Sequence, residues 1–137
     1  MTNIQVDKLS LINSSIKMIK ELLLENDEYY PIATAADLSG ETKPIIYFDG
    51  NENPLSEDLI TKYNEILETK IENSEIRAYA IAYDVRSTRN NESGKIDAIA
   101  IKIKHIEIEE VIIYFYPYTL TQERKLTMGV SWGEIQK

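Results

Sequence analysis

The sequence predicts an α+β domain. It reads as a two-layer sandwich in which an antiparallel sheet of five to six strands carries two helices, in the order α-β-β-α-β-β-β-β. Three observations lead there. Residues 76–88, 95–107 and 110–118 read IRAYAIAYDVRST, KIDAIAIKIKHIE and EVIIYFYPY, three long runs with strand periodicity. Two earlier stretches have apolar residues spaced by three and four, the mark of amphipathic helices. A short hairpin separates these helices, so each has a sheet beside it to cover.

The first helix is predicted from about Asp7 to Glu25, with Leu9, Ile12, Ile16, Ile19 and Leu23 as its stripe and Asp7 as its N-cap. Asn26, Asp27 and Glu28 end it. A hairpin follows, with strands near Ile32 to Asp37 and Lys43 to Phe48 around a turn at Leu38 to Glu41. Asn53 before Pro54 is a good start for the second helix, because asparagine caps free amides and proline at the first helical position loses no needed hydrogen bond. Leu55, Leu59, Tyr63, Ile66, Leu67 and Ile71 carry that helix to about Glu72.

In the first long strand Tyr79, Ile81, Tyr83 and Val85 point one way, and Ala78, Ala80, Ala82, Asp84 and Arg86 the other. If the RNNESG turn pairs Thr88 with Gly94, Tyr83 faces Ile99, Ile81 faces Ile101 and Tyr79 faces Ile103. The reverse face then pairs Ala82 with Ala100, Asp84 with Ala98, and Ala80 and Ala78 with Lys102 and Lys104, while Arg77 meets His105. Both helices are expected on one face, with the tyrosine–isoleucine side the obvious place; the alanine side would suit a closely approaching helix. Val111 to Tyr118 is apolar on both sides, as in a strand inside a covered sheet, and its turn carries no signal that fixes the register. Leu126, Met128, Val130 and Trp132 then alternate with Thr127, Gly129 and Ser131 as one closing strand.

At 137 residues the chain is expected to be a single domain, 1–137, with a core large enough to need no staples. It has no cysteine, which excludes disulfides, thiolate metal sites and cysteine nucleophiles. No stretch approaches the ~20 apolar residues of a membrane span, and the first residues lack a basic, then apolar, pattern; a soluble cytoplasmic protein is the expectation. A net charge of −8 argues against a nucleic-acid partner, which needs clustered lysine and arginine, and suits a basic protein partner.

Asp49, Asn51 and Asn53 begin like a calcium loop, but Pro54 stands where glycine is needed and Ile60 where a bidentate glutamate is needed. The stretch reads as a turn and helix cap, with no metal and no cofactor expected. His105 is the only histidine, so a metal site with two histidines cannot form within the chain; a strand-end hydrogen bond or a solvated ring is its expected role. Asp84 and Arg86, among Ala80, Ala82 and Ala100, are candidate ligand contacts, since small side chains leave room on a pocket floor; a strand-end ion pair is the plainer explanation. Tyr114, Tyr116, Tyr118 and Trp132 are candidate interface residues if a sheet face is left uncovered, and a homodimer would bury them.

The runs YYPIATAADLSGE, RAYAIAYDVRS, DAIAIK and GVSWGE are similar to small bacterial proteins of unknown function. The element order resembles the topology of roadblock and profilin-like dimerising scaffolds, from which the strand-like C-terminal tail departs. Expected functions are therefore a non-enzymatic protein-interaction module, such as an immunity-type protein neutralising a basic toxin or a dimeric scaffold, and alternatively a ligand-binding protein or enzyme with a pocket between helices and sheet.

Overall fold

A computed structural model describes residues 3–26, 28–47, 55–87, 96–121, 123 and 125–136. Among the described residues two helices, α1 (Asn3–Asn26) and α2 (Ser56–Glu72), accompany seven strands. These are β1 (Ile32–Asp37), β2 (Thr42–Ile45), β3 (Ile76–Ser87), β4 (Ile96–His105), β5 (Ile112–Leu120), β6 (Leu126–Met128) and β7 (Trp132–Ile135). All described pairings are antiparallel, in the order β2-β1-β3-β4-β5-β6, with β7 also beside β5. The α+β class and the layering of helices on an antiparallel sheet hold. Asn53 and Pro54, and the Asp49 to Asn53 stretch, lie outside the described residues; Leu55 occupies the cap position of α2 without a side-chain cap bond.

The register of β3 on β4 differs by one residue from the expected one. Tyr83 pairs with Ala100, Ile81 with Lys102, Ala82 with Ile101 and Ala80 with Ile103. A slip of one residue recombines the faces completely. Large now lies beside small: Ala78, Ala80 and Ala82 share a face with Ile99, Ile101 and Ile103, while Tyr79, Ile81 and Tyr83 share the other with Ala100, Lys102 and Lys104. Neither face is thin, and each takes a helix. The expected pairing would have set both lysines among alanines; here Lys102 and Lys104 come up beside α2, where each meets a polar partner.

The helices accordingly lie on opposite faces, where the sequence led us to expect both on one. Leu11, Ile19 and Leu23 of α1 pack with Ala36, the β3 alanines and the β4 isoleucines. Thr34, Ala36, Ala78, Ala80 and Ala82 give α1 a floor of small side chains, all within one per cent of complete burial. On the reverse, Leu59, Tyr63 and Leu67 of α2 pack with Ala33, Ala35, Ile76, Tyr79 and Ile81. Full burial of an aliphatic side chain contributes about 2 kcal/mol, so these two stripes are the main hold of helix on sheet.

The buried row of α1 is Asp7, Leu11, Ser15, Ile19 and Leu23, a strict four-residue step, and Leu9 is half exposed. Asp7 sits inside the helix rather than capping it, one turn after its start at Asn3. β5 is an interior strand as expected, with Ile101 opposite Tyr114 and Ile99 opposite Tyr116, yet its side chains remain half buried on both faces.

The expected single closing strand is two. Met128 pairs with Tyr118 and Trp132 with Phe115, so three residues, Gly129 to Ser131, stand against the two residues Tyr116 and Pro117. That extra residue acts as a bulge and exchanges the faces. Leu126 and Met128 join the α1 core, whereas Trp132 emerges on the α2 side.

Candidate functional site

At the end of the sheet nearest the β1–β2 turn, three polar side chains from distant parts of the chain converge. The Arg77 guanidinium grips the Asp7 carboxylate in a fork, Nε to Oδ2 at 2.8 Å and Nη2 to Oδ1 at 2.9 Å, and His105 Nε2 lies 2.8 Å from Oδ2. Asp7 and His105 are each 1% exposed, and Arg77 17%. Arg77 reaches this face because of a second bulge: Ala36 pairs with Ala78 and Asp37 with Ile76, leaving Arg77 as the extra residue. Its Nη1 also donates to the Leu38 carbonyl at 3.1 Å. Gly40, at φ +93°, closes the turn over it; a Cβ there would stand 2.7 Å from Nη2.

This cluster binds elements together. The Glu107 backbone N–H donates to His105 Nδ1 at 3.1 Å, which leaves the proton on Nε2 to be given to Asp7. Both ring nitrogens are occupied and the ring is buried, so it is the strand-end hydrogen bond of the sequence reading and not a solvated ring. Burial pushes the Asp7 carboxyl up, but the bonds from Arg77 and His105 outweigh it and hold it below the ordinary carboxylate range. The expected register sets Arg77 opposite His105; in the structure His105 pairs with Ala78, and the bulge turns Arg77 towards α1. Asp7, expected as a helix cap, is the carboxylate that joins them.

The other helix has its own polar anchor. Glu68 of α2 accepts Lys104 Nζ at 2.7 Å and the Tyr79 hydroxyl at 2.6 Å, and Lys102 Nζ donates to Asn64 Oδ1 at 2.7 Å. Desolvation raises the Glu68 carboxyl, and its bonds to Lys104 and Tyr79 lower it further than that, below its usual value.

The five candidate ligand contacts do not come together. Ala80 and Ala82 are buried beneath α1, Ala100 is buried on the opposite face against Tyr83, and Asp84 is exposed, accepting the Tyr118 hydroxyl at 2.8 Å. The backbone of Arg86 pairs with Asp97. Near Asp84 the Tyr29 hydroxyl is buried with no hydrogen-bond partner among the described residues. The four candidate interface residues also divide: Tyr114, Tyr116 and Tyr118 pack half buried beside the α1 core, and Trp132 lies on the other face. Among the described residues no three His, Cys, Asp or Glu side chains are grouped as a metal cage.

The remaining surface feature is the β5–β7 end of the α2-side face. α2 packs over β1 and β3, leaving Phe115 stacked on Trp132, with ring centroids 5.2 Å apart and planes 19° from parallel, at the far end of the sheet. Trp132 Nε1 donates to Glu134 Oε2 at 3.1 Å, which fixes the indole edge. Val130 and Ile135 flank the stack in sequence and are 89% and 60% exposed. Ile135, opposite Ile112, turns to the α1-side face, but stacked rings with a carboxylate held at their edge can themselves bind a protein surface. Compared with protein-family models, curated proteins and solved structures, the chain matches none.

Proposed function

We propose that the protein is a non-enzymatic protein-interaction module that docks a basic partner on the β5–β7 end of its sheet. The Phe115–Trp132 stack carries this reading: two large rings lie partly buried, side by side and pre-ordered, beyond the reach of the helix on their face. Rigid aromatic side chains give contact area at low entropic cost, which is why they dominate interfaces. The charge of −8 supplies the sign of the partner and would make association fast and salt-sensitive. An immunity-type protein that neutralises a basic toxin is the concrete form of this function.

A photo-crosslinking residue placed at Val130 tests it in host cells, with the same residue at exposed Glu57 on α2 as control. One adduct specific to Val130, reduced by Phe115→Ala, is expected. An adduct of twice the chain's mass would replace the basic partner by a second copy, and the same products at both positions would overturn the docking site.

A further inference from the structure

We infer that β7 receives a lysine- or arginine-bearing extended segment of the partner as an added strand. This rests on the protein-binding reading above and specifies its mode. The Gln136 N–H donates to the Val111 carbonyl at 2.8 Å, which marks that pair as bonded. In an antiparallel ladder such pairs alternate, so Glu134 and Trp132 also turn their backbone groups to β5. The N–H and C=O of Gly133 and Ile135 therefore point away from it, and no described strand pairs on that side.

The two ends of the sheet are unlike. β2 presents exposed Lys43 and Pro44, a charge and a residue without an N–H, both of which discourage strand addition. β7, reading WGEI, has no proline, and its one charge is the carboxylate of Glu134. Around it stand exposed carboxylates: Glu134 on the strand itself, and Glu109 and Glu110 just before Val111, to which the chain after β7 is bonded. A second copy adding to the same edge would bring these carboxylates against their own images. A basic strand instead finds backbone partners at Gly133 and Ile135, apolar contact at Ile135 and Trp132, and opposite charge at Glu134.

The full chain, labelled for amide NMR, is titrated with a short alternating lysine–valine peptide, and with a glutamate–valine peptide as control. Saturable shifts centred on β7, about tenfold slower amide exchange at Gly133 and Ile135, and weakening by salt are expected for the basic peptide alone. Ile135→Pro removes one outward N–H without touching the β5 ladder and should abolish the response. Glu134→Lys, which leaves the backbone intact, should invert the charge preference if the proline variant does not fold. Equal response to both peptides, shifts centred on α2, or no saturable response would overturn strand addition. Crosslinks from Val130 that persist in Ile135→Pro would overturn it while leaving the partner-binding function standing; their absence in the unmodified chain would remove both.

Discussion

Asp7 shows how far a single side chain can be from what its position in the sequence implies. Near a helix start an aspartate reads as a cap, and only the sheet beneath α1 turns it into a buried anion held by Arg77 and His105. Asp7→Asn keeps the shape and removes the charge, leaving the guanidinium without its counter-ion. We expect a loss of about 2 kcal/mol, below the range for a fully buried pair because Arg77 keeps some solvent. Since its folded-state carboxyl is held below the unfolded value, Asp7 stabilises the fold above about pH 4 and the contribution is lost as pH falls through the lowered range. Urea midpoints measured against pH should therefore fall on acidification, and less steeply for Asp7→Asn. An unchanged slope would mean that the pair contributes nothing to acid lability.

Strand alternation was legible wherever pairing was not needed to interpret it. Ile32–Asp37 and the start of β3 at Ile76 emerge where the pattern puts them, and so does the interior place of β5. What pattern could not give is which face meets which, because a register is a relation between two strands, and the pairing expected across the RNNESG turn is one residue away from the observed one. The two bulges were equally hidden. Each is a single surplus residue, visible only against a partner strand, and each re-aims one side chain: Arg77 towards α1, Trp132 away from it. Deleting Val130 removes the surplus residue and leaves Gly129 and Ser131 against Pro117 and Tyr116, with Trp132 still opposite Phe115. The exciton-type near-UV dichroism of the stacked rings should persist, and its loss would mean that the bulge itself holds the stack. At the other face, Ala80→Leu forces bulk under α1 where there is no space and should cost about 2 kcal/mol in a denaturant titration. A neutral result would mean that α1 can lift from the sheet without penalty.

For the molecule as a whole, one helix on each face explains why the two halves of the alternation are both needed and why neither face is thin. It also leaves the far end of the α2 side, with its stacked rings, outside either helix. The separation Asp7 to His105 spans 98 positions of chain, and α1 has most of its core in β3 and β4. A growing chain therefore makes its first helix and the β1 edge of that helix's floor long before the β3 and β4 part of the floor exists. Part of the apolar stripe of α1 must stay open until β3 and β4, which begin at Ile76 and Ile96, have left the ribosome, and such delayed closure is the kind of interval in which chaperones act.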